Sequence, residues 1–326
     1  MFSTKIFAGS RRYRPPISQI LVCVICLMAL IWHAGAATAQ ECSSEPAIAG
    51  YRDFSFAAGG AANPTEDETE SKLWYHDGFW WGVFWDINAL KHRIYQLDRD
   101  KQCWLNVGPD VDERPRSSAD VLSDGQKLYV ASHDKLTTAS GSDLGRLYRF
   151  SYNAVSKSYS LDRGFPVTIN SAKSESLVLT KNSTGQLWAT WTENGKVMLN
   201  RTLGDDLSWG TPFVLPVQGN DATAQDVSSM IAFGGNKIGV IWGNQIDQKY
   251  YFAVHLDNNA DLDWEPREVA LGDADERRMA DNHINLKRSA RGDIVLAVVK
   301  TSLNVPDRPL YYVIKRNPHG SWSRHV

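Results

Sequence analysis

One pattern occurs five times along this chain of 326 residues and narrows the possible folds more than the composition does. In each copy, a short stretch with the alternating polar and apolar pattern of a strand ends in a glycine-containing turn. A strongly apolar stretch follows the turn. Gly and Asn suit tight hairpins because they accept positive φ. The five turns are Asp77-Gly78, Asp124-Gly125, Thr184-Gly185, Gly234-Gly235-Asn236 and Arg291-Gly292.

Each turn leads into a run of β-branched and aromatic residues, which is typical of a strand that is covered on both faces. The runs are Phe79–Trp85, Leu128–Ala131, Leu187–Trp191, Ile238–Trp242 and Ile294–Val299. A third strand and a polar turn come next in every copy. The fourth strand then opens with an aromatic residue, at Trp104, Tyr159, Trp209, Trp264 and Trp322.

These aromatic residues are about 50 to 58 positions apart, a period that fits a blade of four strands. A two-sheet sandwich is the alternative, but it does not predict the same parts in register five times. Each blade has an apolar face that it cannot bury alone, so blades pack in a ring. The sequence therefore predicts an all-β fold, a β-propeller of about five four-stranded blades over residues 72–326. An incomplete six-bladed ring is the other option.

Residues 1–39 have the order of parts of a secretory signal peptide. A basic region with Arg11, Arg12 and Arg14 precedes an apolar run, Ile20–Trp32, that is too short to span a bilayer comfortably. Small residues follow, and we expect cleavage near Ala39. The mature protein is then secreted or periplasmic and has no membrane segment. An uncleaved signal anchor is the alternative.

Residues 40–71 are predicted to form an N-terminal closing strand and a linker. Tyr51–Phe56 alternates like a strand, and the Gly-, Ala- and acid-rich stretch after it resembles a linker. Cys42 and Cys103 are the two cysteines that remain after signal cleavage. An even pair in an exported protein suggests a disulfide. Two unpaired thiols are the alternative.

The formal net charge of -2 gives no basic footprint, so nucleic acid is not an expected partner. The sequence contains no zinc motif, P-loop, dinucleotide fingerprint or nucleophile elbow, so we expect no metal and no cofactor. The expected partner is an extracellular polysaccharide or other glycan, and the expected state is a monomer.

Three of the polar turns before a fourth-strand tryptophan resemble the Asp-box turn of sialidase-like propellers: Gly204–Trp209, Asp257–Trp264 and Asn317–Trp322. In that family the turn joins the third and fourth strands of a blade, so the resemblance implies fold and not activity. The catalytic residues of sialidases do not carry over. Tyr51–Phe54 departs from the family's Phe- or Tyr-Arg-Ile-Pro motif. Only Arg114 and Arg116 occupy a plausible position for its three converging arginines.

From about Tyr51 to its end, the chain is also similar to an uncharacterised group of bacterial secreted propellers. Complete members of that group continue into a further blade, which favours the six-bladed option, and the group brings no known activity. The resemblance is carried by Ser71–Trp74 with Trp80-Trp81, Gly235–Trp242, Asp281–Asn285 and Lys300–Ser302.

Propeller geometry predicts where a site would lie. The first strand of each blade starts at the face where its antiparallel second strand ends, so residues at these two positions surround one mouth of the central channel. Before the first strands stand Arg114, Arg116, Asp120, Glu175, Asp226, Asp281, Asn282 and His283. After the second strands stand Asp86, His133, Asp134, Glu193, Asn244 and Lys300.

Carboxylates, imidazoles and cations on one concave surface suit glycan chemistry. Paired carboxylates can act as acid and base or nucleophile in glycoside hydrolysis. An imidazole beside a cation can instead abstract a ring proton next to a uronate. The candidate catalytic residues are Asp86, Glu193, Asp281 and His283, and the other mouth residues are candidate ligand-binding residues.

The predicted function is to bind or process an extracellular glycan at this mouth, as a glycoside hydrolase or polysaccharide lyase if it is an enzyme. The alternative is a non-catalytic protein-interaction or structural propeller with no sugar chemistry, because fold alone does not determine function. The mouth residues also have an ordinary interpretation. Polar loops are solvated, and Asp86 and Glu193 can simply bind turn amides.

Overall fold

The computed structural model describes residues 69–134, 145–171, 173–302 and 308–325. The predicted signal peptide, the closing strand Tyr51–Phe56 and Cys42 lie outside these residues. The described residues contain strands, turns and loops, and none of them forms a helix long and apolar enough to cross a membrane.

The strands form five antiparallel sheets, and except for one pairing in the second sheet, neighbouring strands in a sheet are also consecutive in sequence. The first blade contains β1 (Leu73–His76), β2 (Phe79–Asp86), β3 (Lys91–Asp98) and β4 (Cys103–Asp110). The second contains β5 (Ser117–Ser123), β6 (Lys127–Asp134), β7 (Gly145–Asn153), β8 (Ser158–Leu161) and β9 (Val167–Asn170). β8 and β9 pair with different halves of β7, so together they form one interrupted outermost strand.

The last three blades have four strands each. The third contains β10 (Val178–Lys181), β11 (Leu187–Glu193), β12 (Lys196–Arg201) and β13 (Phe213–Val214). The fourth contains β14 (Ser228–Phe233), β15 (Lys237–Asn244), β16 (Lys249–Leu256) and β17 (Glu268–Leu271). The fifth contains β18 (Ile284–Arg288), β19 (Val295–Lys300), β20 (Tyr311–Arg316) and β21 (Trp322–His325).

This architecture confirms the predicted β-propeller and the five glycine-containing turns. The predicted start of the fourth strand needs correction in two blades. Trp209 and Trp264 form only isolated bridges, to Thr202 and His255, and the regular strands begin later at β13 and β17. Trp264 lies nearly parallel to the His255 ring at 5.1 Å, so ring packing holds this residue beside the third strand.

Consecutive blades share buried apolar clusters, and tryptophans from the second strands belong to three of them. Trp81 packs between the first and second blades, Trp191 between the second and third, and Trp242 between the third and fourth. All three side chains are fully buried. Phe252, from the third strand of the fourth blade, is fully buried in the cluster between the fourth and fifth blades. Large rings therefore fill the space between sheets, where their area contributes most to stability.

The Asx-type turn between the third and fourth strands recurs in three blades. Asp98, Asn153 and Asp205 each accept two backbone N–H groups from the residues two and three positions ahead. A side-chain oxygen in this position replaces the missing backbone acceptor of a tight turn. Asp205 lies in one of the three turns that resemble Asp-box turns, Gly204–Trp209, and the relation to sialidase-like propellers stays a prediction.

Asp120 joins three blades through its carboxylate. It lies on β5, where Oδ1 accepts the N–H of Ser71 at 2.9 Å and Oδ2 accepts the N–H of Leu179 at 2.9 Å. The carbonyl of Ser71 in turn accepts the N–H of Val121 at 2.9 Å. These bonds hold two segments against the second blade: the residues before the first blade and the first strand of the third blade. Burial raises the pKa of Asp120 to about 7, although the two N–H bonds oppose this shift.

We expect Asp120→Asn to lower the free energy of unfolding by about 1–3 kcal/mol, because an amide cannot accept both N–H groups. The pKa of an aspartate in an unfolded chain is about 4, below the value of about 7 in the folded protein. Folding therefore takes up a proton at pH values between these two pKa values. Stability from this group therefore falls as the pH rises from about 4 through about 7.

Urea unfolding between pH 5 and 8 tests this expectation, with Asp100→Asn on an exposed turn as the control. The advantage of the wild type over Asp120→Asn should grow as the pH is lowered. An advantage that stays constant with pH would show that Asp120 does not titrate in this range.

Candidate functional site

Most of the predicted mouth residues stand at strand ends on one side of the blades. Asp86, Glu193, Asn244 and Lys300 are the last residues of second strands, and Asp281, Asn282 and His283 precede β18 directly. Among these positions, only the fifth blade brings several predicted residues into one cluster. We call Asp281, Asn282, His283 and Lys300 the Lys300 cluster.

The Lys300 cluster is built around one carboxylate oxygen. Lys300 Nζ lies 3.0 Å from Asp281 Oδ1, and His283 Nδ1 lies 3.7 Å from the same oxygen. The backbone N–H of Asn282 also donates to it at 2.8 Å. His283 Nδ1 is 2.6 Å from Asn282 Oδ1, which can only accept, so Nδ1 carries the proton of this bond.

Local pairing explains why these side chains meet. β18 and β19 are antiparallel neighbours with Ile284 opposite Val299, so the start of one strand lies beside the end of the other. The N–H of Lys300 donates to the carbonyl of His283 at 3.2 Å. The sequence placed both segments at the same mouth, and strand register brings them into contact.

Tyr250, from β16 of the fourth blade, holds both segments of the cluster. Its hydroxyl donates to the carbonyl oxygen of Lys300 at 2.7 Å or of Asp281 at 2.8 Å, and it accepts the N–H of Asp281 at 3.1 Å. Burial raises the pKa of Tyr250 far above its usual range, so the hydroxyl keeps its proton. Gly243 permits this approach, because a Cβ there would lie 2.8 Å from the Asp281 carbonyl oxygen.

Sequence reasoning missed Tyr250, since it stands within a buried apolar strand and nothing in the local pattern separates it from a core residue. The cluster that it supports remains partly open to solvent. The side chains of Lys300, Asp281 and His283 are 15%, 19% and 34% exposed. One carboxylate is therefore surrounded by an ammonium and an imidazole at an accessible strand end.

Asp86 and Glu193 lie in other blades and are engaged locally. Asp86 Oδ1 accepts the N–H groups of Asn88 and Ala89, and Oδ2 accepts from Asn106 Nδ2 at 2.5 Å. Glu193 Oε2 accepts from Trp191 Nε1 at 2.9 Å. These bonds fit the interpretation that both carboxylates stabilise turns and strand ends, and the structure does not place either of them in the Lys300 cluster.

Asp226 and Asn244 are buried and also serve local structure. Asp226 accepts the N–H of Thr223 at 2.6 Å and of Gln245 at 3.1 Å, and its burial raises its pKa. Asn244 donates to the carbonyl of Gly219 at 3.2 Å and accepts the N–H of Asp247 at 2.7 Å. Together they shape the loops that precede and follow the inner strands of the fourth blade.

His133 forms a buried pair with Glu70, which the sequence reasoning assigned to the linker. His133 Nε2 lies 2.7 Å from Glu70 Oε1, and both side chains are fully buried. His133 Nδ1 bonds the carbonyl of Ser174 at 3.0 Å, and the N–H of Leu177 donates to Glu70 Oε1 at 2.9 Å. This pair connects the first three blades. Only the position of Glu70 shortly before β1 could have suggested its role.

Arg114 is bound to Asp112, a residue that the sequence reasoning did not select. Arg114 Nη2 lies 2.6 Å from Asp112 Oδ2, and Ser132 Oγ donates to the same oxygen at 2.6 Å. Burial disfavours ionisation of Asp112, but the Arg114 guanidinium outweighs it and keeps the pKa of this carboxyl below its usual value. Arg146 Nη1 lies 3.9 Å from Asp112 Oδ1, and it too was missed.

The remaining predicted residues lie nearer the surface. Arg116 is exposed, whereas Asp134 and Glu175 are half-buried. Cys103 is disulfide-bonded, and its predicted partner Cys42 is outside the described residues, so the pairing stays a prediction. Across the described ranges, no three His, Cys, Asp or Glu side chains are grouped so that they could hold a metal ion.

Comparisons with known proteins give structural similarity alone. The sequence matches no family model and no curated protein. An α-L-arabinofuranosidase from Lactobacillus brevis is 10% identical, with 78% of this chain and 92% of that chain covered and a TM-score of 0.45. An α-L-arabinanase from Penicillium chrysogenum, complexed with arabinobiose, is 13% identical, with 76% of each chain covered and a TM-score of 0.45.

The polysaccharide lyase Uly1 is also similar. It is 10% identical, with 84% of this chain and 78% of that chain covered and a TM-score of 0.43. At these identities and TM-scores, the similarities assign neither an activity nor a substrate to this chain.

We expect Tyr250→Phe to loosen the Lys300 cluster without displacing the blade core. The variant loses the acceptor of the Asp281 N–H and the donor to two carbonyls, which should lower the free energy of unfolding by about 1–3 kcal/mol. Native-state hydrogen exchange should also become faster at the Asp281 amide.

Tyr251→Phe is the matched control, because Tyr251 is the next residue on β16 and its hydroxyl donates to the more exposed side chain of Asp247 instead of the backbone of the Lys300 cluster. It should cost clearly less stability and leave exchange at Asp281 unchanged. Equal effects of the two variants would contradict a positioning role for Tyr250.

Proposed function

We propose that this protein binds an acidic extracellular polysaccharide at the Lys300 cluster and cleaves it by elimination beside a uronate. The observation that carries this proposal is the meeting of an ammonium, an imidazole and a carboxylate at one partly exposed strand end. The extracellular location rests on the predicted signal peptide, and the sugar substrate rests on the chemistry of the mouth.

Lys300 supplies the recognition of the anion. Its ammonium is held by Asp281 and remains partly exposed, so it can form a charge-assisted hydrogen bond with a uronate carboxylate. This contact also disperses the negative charge that builds up on the carboxylate when the neighbouring ring carbon loses its proton. Stabilisation of developing charge is commonly the largest single contribution to catalysis.

His283 is suited to take up that proton. Because Nδ1 donates to Asn282, the lone pair of the neutral ring lies on Nε2. In the proposed step, Nε2 accepts the proton from the ring carbon next to the carboxylate. The electrons of the C–H bond form a carbon–carbon double bond, the bond to the glycosidic oxygen breaks, and that oxygen takes a proton from the imidazolium or from water.

Hydrolysis by paired carboxylates has weaker support. It needs an acid and a base or nucleophile on two sides of one glycosidic bond. Asp86 and Glu193 lie in different blades, and each already accepts local hydrogen bonds. Asp281 has cationic and imidazole neighbours in place of a second carboxylate. The arrangement therefore favours elimination at a uronate over hydrolysis of a neutral sugar.

Two substitutions separate binding from chemistry. Lys300→Ala should weaken binding of polygalacturonate at least about tenfold, because it removes the cation that meets the carboxylate. His283→Ala should retain binding but lower the rate of product formation by about 10²–10⁴-fold, the range expected for loss of a general base. Calorimetry measures the first effect, and ultraviolet absorbance of the new conjugated double bond measures the second.

Lys196→Ala is the control, because Lys196 also forms an ion pair with an aspartate, Asp221, but lies in the third blade and is more exposed than Lys300. It should behave like the wild type. Neutral arabinan should be neither bound nor cleaved. Binding of polygalacturonate without any product would indicate a binding module, and hydrolysis of arabinan that is unaffected by Lys300→Ala would contradict the proposal.

A further inference from the structure

The two faces of the fifth sheet differ sharply in burial. On β19, Val295, Ala297 and Val299 are at most 1% exposed because they pack against the fourth blade. Val298, which points the other way, is 43% exposed although its strand has neighbours on both sides. Val313 on β20 is 41% exposed. One face of this sheet is thus buried and the other is accessible.

We call the accessible side the open face of the fifth blade. Its residues follow from the strand register. They are Asn285, Lys287, Leu296, Val298, Lys300, Tyr311, Val313, Lys315, Ser323 and His325.

The open face is continuous with the Lys300 cluster. Lys300 stands opposite Tyr311, which is 49% exposed, and these two residues form the row nearest the mouth. Two rows further, Leu296 stands between Lys287 and Lys315. Alternate residues of a strand are about 6.8 Å apart, so about 14 Å separates the row of Lys300 from the row of the two lysines.

The charge of this face has a single sign. Lys287, Lys300 and Lys315 are cationic, His325 can become so, and none of the described residues of the face is acidic. Val298 and Val313 form the row between Lys300 and the other two lysines, and the exposed Tyr311 lies beside Lys300. An exposed apolar strip bordered by charged residues is typical of a binding surface.

We propose that an acidic polysaccharide chain leaves the Lys300 cluster along the open face, where Lys287 and Lys315 bind further anionic groups. This inference rests on the proposed function, because it extends the same ligand beyond the first uronate. Tyr311 and the two valines offer apolar contact to sugar rings, and the lysines meet carboxylates or sulfates on the chain. Charge complementarity and continuity with Lys300 together select a polyanion as the occupant.

The test compares long and short ligands on the full mature chain. Lys287→Glu/Lys315→Glu should weaken binding of long polygalacturonate about tenfold or more and make it less sensitive to salt. The affinity for a digalacturonate that fills only the cluster should stay within about twofold. Arg99→Glu/Arg291→Glu is the matched control, since it makes the same charge change on exposed turns and should leave both affinities unchanged.

The same binding measurement is repeated with dextran sulfate. Comparison with polygalacturonate shows whether the open face recognises sulfate or carboxylate groups. The extended surface is supported if Lys287→Glu/Lys315→Glu binds either polymer more weakly and still binds digalacturonate. The polymer that is affected identifies the recognised anionic group. If Lys287→Glu/Lys315→Glu and the control variant lose equal affinity for the polymers, the effect is due to net charge alone, and the proposal is overturned.

Failure of this inference can be told apart from failure of the proposed function. Suppose that the open face binds polyanions but the Lys300 cluster does not. Lys300→Ala will then keep most of the wild-type affinity for long polygalacturonate, and only Lys287→Glu/Lys315→Glu will lose it. If the cluster alone binds, the lysine variant will behave like the wild type with both ligands, which overturns the inference.

A second copy of the chain is the rival occupant of this face. Light scattering at micromolar concentration tests it directly. A dimer that dissociates in Val298→Asp, and that long polygalacturonate does not disrupt, would overturn the polyanion surface. A monomer in the wild type, or a dimer that the polymer separates, supports it. Circular dichroism confirms that each variant is folded.

Discussion

Face-to-face packing of neighbouring sheets is the constraint on which the rest of this structure depends. Exposure of the apolar face of a four-stranded sheet to water is unfavourable, so each blade buries that face against a neighbouring blade. Trp81, Trp191 and Trp242 fill the space between the first four blades. This packing holds the strands of neighbouring blades against one another, and the strand ends can then carry polar groups at defined positions.

The polar groups near the mouth divide into two kinds. Some hold the blades to one another. Asp120 and the Glu70–His133 pair each connect the first three blades through buried hydrogen bonds. Others remain accessible, and in the Lys300 cluster they converge. The buried groups position the scaffold, whereas the accessible cluster has the chemistry to meet a ligand. The same type of residue at the same type of strand end therefore serves both purposes.

Much of the fold could be predicted from the sequence because its signals are local and repeated. A glycine turn, an apolar strand and a later aromatic residue recur in each blade, so five weak patterns support one another. The site was harder to predict. Strand alternation predicts that Asp281, His283 and Lys300 lie at one mouth, but their contact depends on the pairing of β18 with β19. Tyr250 reaches them from another blade, and no local pattern reveals such a contact.

The central claim is that Lys300, held by Asp281 and supported by Tyr250, is the anion-binding group of this propeller. A crystal structure of His283→Ala with a bound uronate oligosaccharide tests it most directly, because this variant should retain the ligand intact. We predict a sugar carboxylate within hydrogen-bond distance of Lys300 Nζ. An oligosaccharide bound at Arg114 and Arg146 instead, with Lys300 still paired only to Asp281, would contradict the claim.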